Sequence, residues 1–208
     1  MESPGPQIVR PPARVLIGEV VLERWTLDDH DSLFVAVSAN LDHLRPWMPW
    51  VAHHGRESVA TFLAESNAGW ERGARFEYAI REAQADVGAA VLGSAGLMGR
   101  IGPGGLEIGY WVDARHTRRG IATLTAAALS EMALELSTVD RVEIHHDEAN
   151  LASGAIPTRL GFSSLGTFPH QPIAPGELGR DIRWRLDAEQ FAAGPAKALL
   201  DSARATRG

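Results

Sequence analysis

Residues 106–136 read LEIGYWVDARHTRRGIATLTAAALSEMALEL, and the order of features in this stretch decides the fold. An apolar strand, Ile108 to Val112, runs into the basic loop Arg115-His116-Thr117-Arg118-Arg119. The chain then passes through Gly120 into a long Ala/Leu-rich helix. A strand that ends in a basic, glycine-containing turn at a helix N-terminus forms a natural anion site. The first helical N–H groups lack intrahelical partners, and the helix dipole adds partial positive charge there. Glu107 stands at the head of the same strand, within reach of whatever the loop holds. One segment therefore offers an anion cradle and a candidate base.

The rest of the chain narrows the possibilities. Its 208 residues suffice for one domain with a sizeable core, or one domain and a tail. No apolar run approaches the roughly 20 residues that span a bilayer, so no membrane role is expected. The opening MESPGPQIVRPPARV has no h-region, which makes a cytoplasmic location the default expectation. The absence of cysteine excludes disulfides, thiolate zinc sites and a cysteine nucleophile. Net charge is −6, from 20 Lys+Arg against 26 Asp+Glu, which argues against nucleic-acid binding. Lys197 is the only lysine. An arginine cluster at 115–119 inside an acidic protein suits a small anionic ligand better than a polymer.

Residues 1–14 are rich in Pro and Gly and read as a flexible segment. Gly18 to Leu27 reads as a first strand, and helices are expected over about 29–39 and 58–70. Between these helices, Leu41 to Trp50 is a short aromatic stretch broken by two prolines. Three strands follow, at Phe76 to Arg81, Val87 to Met98 and Glu107 to Val112. Gln84-Ala85-Asp86 is expected to make the first turn of this antiparallel meander. After the Gly120 helix come a strand at Arg141 to His146, a helix at Leu151 to Leu160 ended by Gly161, and strands at Phe162 to Phe168 and Gly179 to Leu186. Residues 188–208 form an Ala-rich tail with helical potential, loosely attached. The predicted architecture is α/β, of the α+β kind: a mixed, mostly antiparallel seven-stranded sheet with helices on both faces. The crossover from the Glu107 strand through a helix to the Arg141 strand makes those two strands parallel.

Thr117-Arg118-Arg119-Gly120-Ile121-Ala122 resembles the acetyl-CoA signature of the GCN5-related N-acetyltransferase superfamily. That signature has Gln or Arg, two variable residues, Gly, one variable residue, then Gly or Ala. Asn150 to Phe162, ending in Leu160-Gly161-Phe162, resembles that superfamily's downstream asparagine-led helix. Leu41 to Trp50 and Glu107 to Val112 resemble the RimJ/RimL branch, which acetylates ribosomal-protein N-termini. The resemblance covers residues 15–187. It implies a splayed pair of central parallel strands, with acetyl-CoA as acyl donor in the resulting slot and no metal. The pantetheine arm would meet the strand edge at Trp111 and Val112. The pyrophosphate would lie over Thr117, Arg118, Arg119, Gly120, Ile121, Ala122 and Thr123, with Asn150 and Ser153 also on the cofactor. Thr117 departs from the signature, which has Gln or Arg there.

Acyl transfer from a thioester to an amine requires loss of an amine proton, stabilisation of an oxyanion, protonation of a thiolate, and orientation. A lysine amine with a pKa of about 10.4 needs about 4 kcal/mol of help in deprotonation at pH 7, whereas an α-amine near about 8 needs only about 1. The resemblance makes Glu107 the base, with Tyr78, Asp147 and His146 as relay candidates. Many relatives carry a tyrosine acid seven residues after the asparagine, but that position is Pro157 here, and Ser153 is the acid expected instead. Pro157 also strips a helical donor from a carbonyl near Ser153, freeing it for pantetheine or water. Trp47, Trp50 and Tyr78 are the candidate acceptor-binding residues, whereas Trp70 reads as core. The pairs His53-His54 and His145-His146 do not make a metal site: adjacent strand residues face opposite ways, so 145/146 cannot chelate as a pair, and no His-x-x-x-His spacing or carboxylate cluster supports a site. The expected function is N-acetylation of a protein or peptide α-amine by direct attack in a ternary complex. A small-molecule amine acceptor and a non-catalytic acyl-CoA-binding module are the alternatives, and a homodimer is left open.

Overall fold

A computed structural model describes residues 9–83 and 90–206. Eight strands form one sheet: β1 (Arg14–Ile17), β2 (Val20–Arg24), β3 (Arg75–Glu82), β4 (Val91–Met98), β5 (Gly105–Val112), β6 (Arg141–Asp147), β7 (Ser163–Pro169) and β8 (Arg180–Asp187). The helices are α1 (His30–Ser38), α2 (Leu41–Leu44), α3 (Arg56–Glu71), α4 (Ile121–Leu134), α5 (Leu151–Leu160), α6 (Ala188–Ala193) and α7 (Pro195–Ala205). The spatial order is β1-β2-β3-β4-β5-β6-β8-β7, with only β5 and β6 parallel.

The strand absent from the sequence expectation is β1. It pairs with β2 through a two-residue turn in which Gly18 adopts φ +52°, a left-handed conformation that glycine accepts without strain. The proline-rich stretch before it conceals a four-residue edge strand, so the sheet has eight strands rather than seven. The turn expected at Gln84-Ala85-Asp86 lies outside the described residues.

Alternation along the strands separates two cores. Leu106, Ile108 and Val112 of β5, with Phe76, Tyr78 and Ile80 of β3, face the layer containing α4 and α7. Ala79 and Val91 face the opposite layer, built on Trp25, Leu33, Val37, Val59 and Leu63 of the α1/α3 side. The C-terminal segment is part of the first core and not a loose tail. Ala196 and Leu200 of α7 are fully buried, and Arg204 pairs with Glu131 of α4.

The feature that positions the site lies at the centre of the sheet. β5 pairs with β4 from Met98↔Glu107 to Gly93↔Val112, and β6 pairs with β8 along its length. Between β5 and β6, pairing stops after Glu107↔Glu143. The strands diverge beyond that pair, leaving one edge of Ile108–Val112 without a strand partner, so the expected parallel splay is present.

Candidate active site

On one side of the splay, the chain leaves β5 and turns through a basic loop into α4. Asp113, buried at this corner, accepts from the backbone N–H of Arg115 (2.8 Å), from the Arg115 guanidinium (2.7 and 3.0 Å) and from Asn40 Nδ2 (3.1 Å). The Arg115 guanidinium beside it, despite burial, holds the Asp113 carboxyl well below the usual range. Arg115 is thus committed to the loop itself. Arg118 and Arg119 stay exposed and make no ion pair among the described residues. Arg118 (φ +62°) and Gly120 (φ +79°) are both left-handed. Such a loop turns successive backbone N–H groups toward one point, and the N–H groups of Ile121, Ala122 and Thr123 have no intrahelical acceptors. Nothing lies within 4 Å of where a Gly120 Cβ would stand, so the cradle is open.

Across the splay, Asn150 caps α5 by accepting the Ser153 N–H at 3.1 Å. Pro157 deprives the Ser153 carbonyl of its helical donor. The Tyr110 hydroxyl from β5 takes that place, 3.3 Å from Ser153 O and 3.2 Å from Ser153 Oγ. Burial pushes the Tyr110 phenol up to about 12, opposed by its bond to Ser153.

The other face of the splay opens into a cleft of about 1280 Å³ whose lining carboxylates outnumber its arginines. Trp47, Met48 and Trp50 wall it on one side, and Ile173 and Glu177 of the β7–β8 connection wall it on another. The two walls meet where the Gly176 N–H donates to the Pro46 carbonyl at 2.9 Å. At the cleft's inner end Glu107 is 7% exposed. Both its oxygens accept from Arg100, Nε at 2.8 Å and Nη2 in a shorter contact. His145 sits between Glu107, Glu143 and Asp181.

The sequence pattern of the acetyltransferase (GNAT) domain family matches residues 19–163. The chain belongs to this family. No curated protein sequence matches it. Among solved structures, Mycobacterium smegmatis RimJ in complex with a CoA-disulfide is similar at 22% identity, covering 94% of this chain and 92% of that one, with a TM-score of 0.77. RimL, a ribosomal L7/L12 alpha-N-protein acetyltransferase in complex with coenzyme A, is similar at 18% identity, covering 84% and 97%, with a TM-score of 0.76. The microcin C7 self-immunity acetyltransferase MccE, in complex with acetyl-CoA and AMP, is similar at 19% identity, covering 81% and 92%, with a TM-score of 0.72.

Within this GNAT frame the structure brings most of the expected residues together. Glu107, Trp47, Trp50, Trp111, Asn150 and Ser153 all line the cleft. Trp111 packs its side chain against the α1/α3 core and turns its carbonyl toward Gly93 of β4, as Asp113 turns its N–H to Leu92, so Trp111 does not offer its backbone to a cofactor arm. By alternation the backbone groups that face the splay are those of Ile108, Tyr110 and Val112. Tyr78 is placed elsewhere. It is fully buried on the α4/α7 face, and its hydroxyl donates to Pro12 O at 3.0 Å. The alternation that turns Glu77 into the cleft turns Tyr78 away from it, so Tyr78 neither binds an acceptor nor serves a relay there.

The two adjacent histidines diverge as strand geometry requires. His146 has both nitrogens occupied: Nδ1 lies 2.8 Å from Asp147 O, and Nε2 accepts from Trp184 Nε1 at 3.0 Å. Asp147 is a structural clamp, accepting the N–H groups of Ala149, Leu178, Gly179 and Arg180. Neither is free to relay a proton. Two residues were missed: Tyr110, whose only sequence signal was its place beside Glu107 in the same strand, and His145, which alternation puts on the Glu107 face. Among the described residues, no group of three or more His, Asp or Glu side chains is placed to hold a metal ion, and no helix is long and apolar enough to cross a membrane.

Proposed function

We propose that this GNAT-family acetyltransferase uses acetyl-CoA to acetylate a primary amine by direct attack in a ternary complex, and that the acceptor is the α-amine of a protein or peptide. The observation that carries this reading is the splay beyond Glu107↔Glu143, because it joins an open N–H cradle on one side to an acidic cleft on the other. Residues 118–123 suit a pyrophosphate through backbone N–H groups and two uncommitted arginines. The unpaired edge of Ile108–Val112 suits the amide-bearing arm of coenzyme A. The chain has no cysteine, so no acetyl-cysteine stage is available.

An acidic cleft attracts a protonated amine. The proton that leaves the ammonium is taken up in the neighbourhood of Glu107 and His145, whose nearest atoms lie 3.8 Å apart. On the donor side, Ser153 Oγ protonates the leaving thiolate, with Tyr110 fixing the Ser153 hydroxyl. The similarity to RimJ and RimL favours a chain terminus, and that to MccE keeps a small-molecule amine as the second reading. An acceptor screen that reads free thiol, pairing peptide N-termini with small amines and acetyl-CoA with succinyl-CoA, separates the two. Thiol release at the rate of hydrolysis with every amine would leave an acyl-CoA-binding module as the better description.

A further inference from the structure

The hydrogen bonds around His145 fix its tautomer. Its Nε2 lies 2.8 Å from Glu143 Oε2, and an ionised carboxylate only accepts, so Nε2 carries the proton. Glu143 is held in turn: its other oxygen accepts from Arg185 Nε at 3.0 Å and Nη2 at 2.8 Å. Although burial works against ionisation, the bonds from His145 and Arg185 keep the Glu143 carboxyl below its usual range. In the neutral imidazole, Nδ1 is then the nitrogen that keeps a lone pair. The groups facing it are Glu107 Oε2 at 3.8 Å and Asp181 Oδ2 at 4.0 Å, both beyond hydrogen-bond reach.

Each surrounding carboxylate has an arginine of its own: Arg100 on Glu107, Arg185 on Glu143 and Arg183 on Asp181, with Arg141 Nε a further 3.5 Å from Glu143. The acidic ring about the imidazole is therefore largely neutralised. His145 lines the cleft and is 16% exposed at its side chain, so a water can reach it. Glu107, by contrast, meets the cleft with both oxygens engaged by one guanidinium.

We infer that His145 Nδ1 is the proton acceptor of the reaction and Glu143 its positioning residue, with Glu107 acting as a paired charge beside them. This assignment rests on the proposed amine acetylation. One proton of the acceptor ammonium passes through a water to Nδ1 and later to solvent. The freed lone pair attacks the thioester carbonyl, the C–N bond forms and the C–S bond breaks. The thiolate takes a proton from Ser153, which regains one as the nitrogen sheds its second.

Two measurements on the full chain test this. Nitrogen NMR of the resting protein, under the conditions in which it turns over, should show the His145 proton on Nε2 and none on Nδ1. A proton on Nδ1, or an imidazolium persisting there, overturns the assignment whatever the acceptor proves to be. In turnover, two amines of different pKa should share one acidic limb in kcat. His145→Gln should remove that limb and lower kcat/KM by on the order of a hundredfold. Acetyl-CoA affinity should stay unchanged, and Glu107→Gln should keep the limb. His145→Gln that binds acetyl-CoA and retains activity within about threefold overturns the inference. Wild-type protein that acetylates no amine overturns the functional reading instead, and the tautomer still decides the imidazole.

Discussion

The Tyr110 hydroxyl lies 3.2 Å from Ser153 Oγ and 3.3 Å from the Ser153 carbonyl, the group that Pro157 leaves without a helical donor. The proline thus creates a vacancy on α5, and a tyrosine from β5 fills it at the point where the two strands part. Tyr110→Phe should lower kcat about tenfold, the worth of one well-placed hydrogen bond, and leave the KM for acetyl-CoA nearly unchanged. Because Tyr110 acts through Ser153, adding Tyr110→Phe to Ser153→Ala should cost little more. Fully additive losses in that cycle would separate the two residues.

The contact between Gly176 and Pro46 joins the two walls of the cleft. A Cβ at Gly176 would lie 2.6 Å from the Pro46 oxygen and 3.1 Å from the Trp47 ring, so no larger residue fits without parting the loops. Gly176→Val should raise the acceptor KM about fivefold, the equivalent of roughly 1 kcal/mol, with the donor KM unmoved. Equal changes in both would mean that the substitution disturbs more than this wall.

Two glycines near the end of β5 should behave differently. A Cβ at Gly93 would stand 2.2 Å from the Trp111 carbonyl oxygen and 3.0 Å from Val112 Cα, both backbone atoms in the paired neighbour strand. Gly93→Ala should cost about 2–4 kcal/mol and lower the melting temperature accordingly. At Gly120 the space is open and only φ +79° is at issue, so Gly120→Ala should cost about 1 kcal/mol. Its larger effect should fall on acetyl-CoA binding, by crowding the N–H cradle. Calorimetric unfolding with and without the cofactor distinguishes the two outcomes.

How far the sequence could be read follows from which contacts are local. The bounds of α5 are legible to the residue, because Asn150 caps one end and Gly161, at φ +79°, turns the chain at the other. The strand-loop-helix at residues 106–136 is legible because hydrophobic period two gives way to helical spacing across a glycine. Insertion of β8 between β6 and β7 is not, since strand periodicity says nothing about non-local pairing. The same limit hid Tyr110, whose partner lies 43 residues away. Alternation correctly placed His145 and His146 on opposite faces. It did not say which face holds the cleft, and for the same reason Tyr78 was assigned to a site it does not reach.

The β7–β8 connection should loosen as pH rises, and the reason lies in one carboxylate. Asp147 Oδ2 accepts the N–H groups of Leu178 (3.0 Å), Gly179 (2.9 Å) and Arg180 (3.1 Å), and it faces His170 Nε2 at 3.2 Å. Burial opposes the Asp147 charge, but the bonds from Leu178, Ala149, Arg180 and His170 outweigh it and hold the carboxyl well below the usual range. A depressed carboxylate contributes fully above its ordinary pKa of about 3.9 and loses that contribution as pH falls through the lower folded value. His170 has the opposite sign. Its desolvation lowers its pKa, yet the bonds to Asp147 and to the Gln171 carbonyl raise it overall. Its contribution is complete below about 6.5 and fades as pH climbs through the raised folded value. The connection is therefore held most firmly between about pH 4 and 6.5. Hydrogen exchange at Leu178 and Gly179, corrected for intrinsic rates, should show protection declining above that window. The decline should be modest, because His170 is partly exposed and screened by solvent. His170→Gln should flatten the alkaline slope, and Asp147→Asn should abolish protection across the range. An alkaline slope that survives His170→Gln would assign the effect to another group.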